Sequence, residues 1–238
     1  MNKFKQVIVI PDVHGRTFWK EAVKGNEDQQ IIFLGDYVDP YPHEQIDDTQ
    51  ALENFKEILE FKKNHPDNVI LLIGNHDCSY MYSPSVCNCR YSLKHWKELQ
   101  DLFRDNKHLF QIAYECEVND KVYEFSHAGI SDQWIDRIKD LSIVGKYAEE
   151  TNVEYINRLY NDNQDVLVEF LKDCSWYRGG SYYSGSCVWS DVREWLRKYE
   201  KNTSKNIQVF GHTQLEKEPY IIPNKILCLD CRKEYILQ

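Results

Sequence analysis

Three runs of apolar residues in the first third of the chain predict the strands of an α/β sheet. Residues 7–10, 31–34 and 69–73 are continuously apolar rather than alternating, which is typical of strands covered on both faces. Between the second and third runs, apolar residues recur with a helical period after Asp47 and Asp48, which are candidate N-caps. The order strand, helix, strand favours parallel pairing.

The rest of the chain continues this mixture of strands and helices. Further predicted elements are a helix over 92–105, a hairpin of strands 111–118 and 122–125 around Asn119-Asp120, helices within 132–172, an irregular stretch over 175–185, a strand over 206–210 and a closing hairpin of 220–222 and 225–229. The apolar periodicity places Leu93 and Leu141 among the buried helical residues. No internal repeat or linker divides the sequence, so we predict one domain over residues 1–238.

Side chains that can bind metal follow five of the predicted strands. They stand in the segments Asp12-Val13-His14-Gly15, Gly35-Asp36-Tyr37-Val38-Asp39, Gly74-Asn75-His76-Asp77, Ser126-His127-Ala128-Gly129 and Phe210-Gly211-His212-Thr213. In an α/β sheet, ligands bind in the crevice beyond the carboxyl ends of the strands. Asp12 and His14 are two residues apart, so on an extended segment they point to the same side and can chelate one cation. One such segment is commonly structural, but five at strand ends predict a metal site.

The five segments resemble the motifs of the calcineurin-like metallophosphoesterases, which run D-X-H, G-D-X-X-D, G-N-H-[DE], H and G-H. The match spans Asp12 to His212. It is most similar to the branch that includes the phosphoprotein phosphatases and the bacterial diadenosine tetraphosphatases. The resemblance implies an α/β fold, a four-layer αββα sandwich with mixed sheets and a dinuclear metal site at the strand ends.

The resemblance also implies the ligands of two divalent metal ions. Asp12, His14 and Asp36 would hold one ion, and Asp36, Asn75, His127 and His212 the other. Asp36 would bridge the pair, because a shared carboxylate reduces the repulsion between neighbouring cations. Carboxylate, amide and imidazole ligands without thiolate suit manganese, iron or zinc better than calcium. Manganese is the predicted metal, with iron and zinc as alternatives.

His76 and Asp39 are the catalytic residues that the resemblance implies. A hydroxide bridging the two ions would attack phosphorus, and His76 would act as the general acid for the leaving group. Asp39 matches the family carboxylate that orients this histidine. The adjacent Asp77 is the alternative for that task, and it could instead hold the loop.

One departure from the phosphoprotein phosphatases concerns phosphate binding. Those enzymes usually carry Arg and Gly after the aspartate that matches Asp39, whereas this chain has Pro40-Tyr41. We predict Arg178, in a Gly-flanked irregular loop, or Arg16 as the replacement, because a planar guanidinium can grip two phosphoryl oxygens. An ordinary exposed loop arginine is the competing interpretation of Arg178. The missing arginine weakens the expectation of protein-phosphatase activity.

A second departure and the charge balance disfavour nucleic acid as a substrate. Nucleases and phosphodiesterases of the superfamily usually carry another ligand histidine two residues after the G-H motif, where this chain has Gln214. Lys+Arg 29 against Asp+Glu 38 leaves a net charge of -9, which repels phosphate backbones and anionic lipid. No apolar run approaches the roughly 18 residues of a membrane span.

The eight cysteines are predicted to stay reduced. The first residues lead directly into a strand, which leaves no room for a secretory signal, so a cytoplasmic location is expected. Cys228 and Cys231 follow apolar strand residues and are expected to pack in the core. Cys78, Cys87 and Cys89 lie soon after the third motif, where they could hold a further metal or sense oxidation.

These observations predict a metal-dependent phosphatase, a hydrolase of phosphoric esters. Its expected substrate is a phosphomonoester, a phosphoprotein or a nucleotide polyphosphate, and the sequence does not choose among them. Two alternatives stay open. A phosphodiesterase or nuclease would be favoured by a basic groove, and a non-catalytic binding scaffold of the same fold by loss of ligand residues. The oligomeric state is not predicted.

Overall fold

The computed structural model describes residues 1–85, 89–197 and 206–238. The strands are β1 (Asn2–Phe4), β2 (Val7–Ile10), β3 (Gln30–Phe33), β4 (Val69–Leu72), β5 (Phe110–Gln111), β6 (Ala113–Val118), β7 (Lys121–Ser126), β8 (Ile207–Phe210), β9 (Tyr220–Ile222), β10 (Ile226–Cys228) and β11 (Tyr235–Leu237). The α-helices are α1 (Phe18–Val23), α2 (Asp48–Asn64), α3 (Asn75–Met81), α4 (Trp96–Asp105), α5 (Asp132–Leu141), α6 (Asn152–Asp162) and α7 (Gln164–Leu171). Short 3₁₀ helices cover Pro42–Glu44, Lys107–Leu109, Trp176–Arg178 and Val192–Leu196.

The three apolar runs form the centre of a sheet with the strand order β11-β2-β3-β4-β5. β2, β3 and β4 pair in parallel, with Ile8 opposite Ile31 and Ile32 opposite Ile70, as the sequence predicts. The helix α2 connects β3 to β4. It begins with a capping box, in which the Asp47 side chain accepts hydrogen bonds from two backbone N–H groups of the first turn.

The second sheet has the strand order β1-β6-β7-β8-β10-β9. Both predicted hairpins are confirmed, since β6 pairs antiparallel with β7 and β9 antiparallel with β10. The predicted strand 111–118 is wrong at its start, because Gln111 pairs with β4 in the first sheet. Asn119 and Asp120, at the first turn, both have positive φ, the conformation that a tight two-residue hairpin requires. β8 lies parallel to both of its neighbours, β7 and β10.

The continuous apolar runs face two different cores. Along β2, Val7 and Val9 pack against the second sheet, in a core that also contains Phe125. Ile8 and Ile10 point the other way and pack among the helices, because successive residues of a strand face opposite sides. Two mixed sheets packed together and flanked by helices confirm the predicted α/β sandwich.

The helices α1 and α3 are absent from the prediction, and two predicted helical segments differ in their bounds. α4 begins at Trp96, after the predicted start at residue 92. Leu93 is therefore 80% exposed. Residues 142–151 break the predicted helical region between α5 and α6, and Leu141 at the end of α5 is 64% exposed.

Two edge strands are absent from the prediction. β1 pairs in parallel with β6, and β11 pairs antiparallel with β2. Each is three residues long, which is too short for alternation to be recognised. Cys228 and Cys231 are both buried, as predicted for core packing. Within the described part of the chain, the helices are all too short or too polar to cross a membrane.

Candidate functional site

The six predicted metal ligands all lie at the carboxyl ends of central strands. These residues are Asp12 and His14 after β2, Asp36 after β3, Asn75 after β4, His127 after β7 and His212 after β8. Every one of them is at least nine-tenths buried. Residues up to 200 positions apart thus converge on one place, where the Asp12 carboxylate accepts a hydrogen bond from the His212 backbone N–H at 2.9 Å.

Asp36 lies at the centre of this cluster. Its Oδ2 atom is 3.5 Å from His14 Nε2 and 3.5 Å from His127 Nε2. Two groups of donor atoms that lie within 4.8 Å of one another share this carboxylate: one adds His14 and His76, the other His127 and His212. A carboxylate between two imidazole groups is the arrangement expected of a bridging metal ligand.

Asn75 and His212 complete the second group. Asn75 Oδ1 lies 2.8 Å from His127 Nε2, and His127 Nδ1 lies 2.8 Å from the Leu34 carbonyl. His212 Nδ1 is 3.1 Å from the same His127 Nε2. His212 Nε2 is buried and has no hydrogen-bond partner among the described residues. A buried imidazole nitrogen without a partner is costly unless a ligand occupies it, so this donor set fits a metal ion.

The backbone brings these ligands together at the expense of local strain. His14, Asp36 and His212 all have positive φ, which non-glycine residues rarely adopt and which clusters at functional sites. The glycines that precede two ligands allow close approach of neighbouring segments. A Cβ on Gly74 would lie 2.2 Å from Asp36 Oδ1, and one on Gly211 would lie 2.0 Å from Asp12 Oδ1.

Burial sets the protonation of the cluster. It lowers the pKa of the four clustered histidines, well below the usual value for His14, His76 and His212 and less far for His127. Burial, with the nearby charge of Asp12, raises the pKa of the Asp36 carboxyl well above its usual value. Neutral imidazoles keep a lone pair for a metal. A bound cation would reduce the electrostatic repulsion between Asp36 and the neighbouring carboxylates.

His76, which lies within the first of these two groups, also has a carboxylate partner. His76 Nδ1 lies 2.8 Å from Asp39 Oδ2, and burial raises the pKa of Asp39 to about 7. Asp77 instead accepts hydrogen bonds from the backbone N–H groups of Asp36, Tyr37 and Gly74. The geometry therefore favours Asp39 as the partner of His76 and gives Asp77 the task of holding the loop.

The cluster opens into a cavity of about 470 Å³ lined by three arginines, Arg90, Arg178 and Arg193. Arg178 donates from Nη2 to the His212 carbonyl at 2.6 Å. Arg90 lies 3.9 Å from the centroid of the Tyr41 ring and donates from Nη2 to the Asp39 carbonyl at 2.6 Å. Arg90 and Arg178 are therefore held by backbone carbonyls next to the cluster, whereas Arg193 forms an ion pair with Asp191.

Arg16 lies elsewhere. Its guanidinium forms two hydrogen bonds with Glu44, at 2.8 and 2.9 Å, and a third with the Asp12 carbonyl. Among the described residues, those that line the 470 Å³ cavity do not include Arg16. Reasoning from the sequence does not assign phosphate binding to Arg90, because Arg90 stands in an irregular segment. The absence of arginine after Asp39 indicates that an arginine from elsewhere is needed, but it does not identify which one.

The cysteines near the third motif do not form a further metal cluster among the described residues. Cys78 is buried in α3, and Cys89 Sγ accepts a hydrogen bond from Asn75 Nδ2 at 2.9 Å. Cys87 lies outside the described residues. The thiol of Cys89 thus contacts the amide end of a predicted metal ligand, while the Asn75 oxygen faces His127.

Comparison with known proteins matches residues 5–216 to the family described as calcineurin-like phosphoesterase. A crystal structure of a mutant cold-active protein tyrosine phosphatase aligns with a TM-score of 0.59 at 18% identity, covering 100% of this chain and 76% of that chain. The cold-active protein-tyrosine phosphatase of a psychrophile, Shewanella sp., aligns with a TM-score of 0.57 at 18% identity, with the same coverage. At this identity the likeness concerns the fold.

Proposed function

The chain belongs to the calcineurin-like phosphoesterase family, and from this premise we propose that it is a phosphatase that hydrolyses phosphomonoesters with two divalent metal ions. The observation that carries the proposal is the position of Asp36 Oδ2, 3.5 Å from an imidazole nitrogen of each ligand group. We further propose that residues 1–238 act as one domain, because strands from both ends of the sequence join the two sheets.

The ligands that we propose for the two ions are those that the sequence predicts. Asp12, His14 and Asp36 would hold one ion, and Asp36, Asn75, His127 and His212 the other. The orphaned His212 Nε2 and the repelling carboxylates support this assignment. When bound, the ions would supply Lewis acidity and lower the pKa of a water nucleophile. Manganese is the metal that we propose to test first, since this donor set also suits iron and zinc.

We assign proton transfer to His76. It lines the cavity, and its other ring nitrogen lies on Asp39, which fixes the orientation of the ring. As the bond between phosphorus and the leaving-group oxygen breaks, a His76 imidazolium paired with the Asp39 carboxylate would donate its Nε2 proton to that oxygen and become neutral. A positioned acid of this kind typically accelerates a reaction about 10²–10⁴-fold.

We assign substrate binding to Arg178 and Arg90. Both residues line the cavity, and each donates one N–H group to a backbone carbonyl. Arg178 Nε also lies 3.4 Å from Asp191 Oδ2, and the other N–H groups of the two guanidinium groups are proposed to bind phosphoryl oxygens. Arg178 is a candidate that the sequence analysis already names. Arg90 replaces Arg16 as the second candidate, because Arg90 lines the cavity. Gln214 also lines the cavity and cannot act as an imidazole ligand, which favours a monoester over a nucleic acid.

Hydrolysis of two chromogenic esters tests the proposal. Protein loaded with manganese is assayed with 4-nitrophenyl phosphate and with bis(4-nitrophenyl) phosphate, beside Asp36→Asn and the surface control Asp162→Asn. We expect faster turnover of the monoester, lost in Asp36→Asn and kept in the control.

Two results would contradict the proposal. Preference for the diester would indicate a phosphodiesterase. Metal binding without Asp36-dependent turnover of either ester would favour a binding scaffold. If the monoester is preferred, assays with phosphopeptides and nucleotides would follow, to distinguish between these substrate classes.

A further inference from the structure

Tyr80 lies directly behind the pair formed by Asp39 and His76. Its hydroxyl is 2.5 Å from Asp39 Oδ1, while Asp39 Oδ2 is 2.8 Å from His76 Nδ1. We infer that Tyr80 is a positioning residue for proton transfer, acting through Asp39 on His76. This inference rests on the proposed function, in which His76 protonates the leaving group.

The direction of each hydrogen bond follows from the neighbouring donor. The Ser92 backbone N–H donates to the Tyr80 oxygen at 2.7 Å, so the hydroxyl proton of Tyr80 is directed to Asp39. Asp39 Oδ1 then accepts the hydrogen bond from Tyr80, and Asp39 Oδ2 faces His76 Nδ1. Both oxygens are engaged, which fixes the plane of the carboxylate and with it the orientation of the imidazole.

The aromatic ring of Tyr80 is fixed by packing in the core. Tyr80 is fully buried and packs between Trp96, with ring centroids 5.0 Å apart, and Phe103, at 5.9 Å and nearly parallel. The ring contributes to the core, and the hydroxyl contributes to the site. Replacement by phenylalanine therefore keeps the packing and removes two hydrogen bonds, the one to Asp39 and the one from the Ser92 backbone.

The electrostatics of Asp39 agree with this role. Burial raises the pKa of Asp39 to about 7, and the hydrogen bond from Tyr80 acts in the opposite direction. The tyrosine thus helps to keep Asp39 ionised, the form that holds the Nδ1 proton of His76. Without the hydroxyl, a buried carboxylate oxygen would lose its donor.

Dependence on the leaving group tests the inference. Tyr80→Phe is compared with wild type on phenyl phosphate, whose leaving group needs a proton, and on 4-nitrophenyl phosphate, whose leaving group needs it less. We expect kcat/KM to fall about tenfold on phenyl phosphate, a part of the full effect of a general acid, and to change little on the nitrophenyl ester. Tyr160→Phe is the matched control, because Tyr160 is also buried and its hydroxyl donates to the Lys107 carbonyl.

A double-mutant cycle shows whether Tyr80 acts through His76. Adding Tyr80→Phe to His76→Ala should cause no further loss. An equal fall on both esters, or an undiminished fall in the His76→Ala background, would overturn the inference and leave Tyr80 a structural residue.

A spectroscopic measurement separates this inference from the proposed function. Correlation spectra of ¹⁵N-labelled histidine side chains identify the His76 Nδ1 signal by its absence in His76→Ala. We expect Tyr80→Phe, but not Tyr160→Phe, to shift that signal, even in a protein that hydrolyses neither ester. An unchanged signal would overturn the inference about Tyr80 without contradicting the proposed phosphatase function.

Discussion

Replacing Gly211 with alanine should displace the ligands that the adjacent segments hold together. A Cβ at this position would lie 2.0 Å from Asp12 Oδ1, whereas ordinary van der Waals contacts begin at 3.4 Å. The short Asp12 side chain is held by the backbone N–H of His212, so either the carboxylate or the strand end must move by roughly 1 Å or more. A displacement of about 1 Å at a catalytic site costs on the order of 10²-fold in rate.

The assay for Gly211→Ala measures function and folding separately. We expect kcat/KM for 4-nitrophenyl phosphate to fall about 10²-fold and manganese affinity, measured by calorimetry, to fall with it. The free energy of unfolding should decrease by about 1–3 kcal/mol, as for other overpacked positions. Gly145→Ala is the matched control, because its Cβ would meet nothing within 4 Å.

One result would refute this reasoning. If Gly211→Ala kept the metal affinity and turnover of wild type, Asp12 would not need the position that the structure gives it. Gly74→Ala provides a second test of the same principle, since its Cβ would lie 2.2 Å from Asp36 Oδ1. Far-UV circular dichroism would show whether either variant is folded before its kinetics are interpreted.

Three further perturbations test the metal and phosphate assignments. Because burial raises the pKa of Asp36 and a cation would lower it, the manganese-induced rise in Tm should be full above the raised pKa of Asp36 and lost as the pH falls through it; a rise that is independent of pH would contradict this. Arg90→Ala and Arg178→Ala should each reduce kcat/KM by about 10–100-fold, the loss expected for a hydrogen bond to a charged group, and a change below twofold in both would remove them from substrate binding. Cys89→Ala should weaken manganese binding by about 10-fold, the lower end of the range for a residue that orients a metal ligand; Cys89→Ser should restore the acceptor for Asn75, and equal calorimetric affinities for all three proteins would exclude a role for the thiol.

The sequence predicts the parts of the site that combine a distinctive side chain with a strand end. Asp12, Asp36 and Asn75 each follow one of the three continuous apolar runs, and parallel pairing brings the ends of such strands together. The pattern of residues alone indicates a metal site. The division of the ligands between two ions comes from the family resemblance.

Residues that depend on tertiary contacts escape this reasoning. Arg90 reaches the cavity because its guanidinium lies over Tyr41, and Arg16 is withdrawn by Glu44. Neither partner is adjacent in sequence. The irregular segments after α3 and between β3 and α2 position these side chains, and such segments lack the periodicity that makes helices and strands predictable. The role of Tyr80 likewise depends on Asp39, which is 41 positions away.

Strain and charge are concentrated on the same few residues, and this links the stability of the protein to its proposed chemistry. Asp36 combines positive φ with a buried carboxyl group whose charge is opposed by Asp12 and Asp77, and each of these features disfavours the folded state. The surrounding fold compensates, since Asp77 binds three backbone N–H groups and the Asp36 carboxylate accepts the backbone N–H of His76. Such a rigid frame holds the carboxylates close together before any cation arrives. A cation that binds there therefore meets preorganised ligands and removes an existing repulsion, which explains why ligand residues and unfavourable backbone conformations occur at the same strand ends.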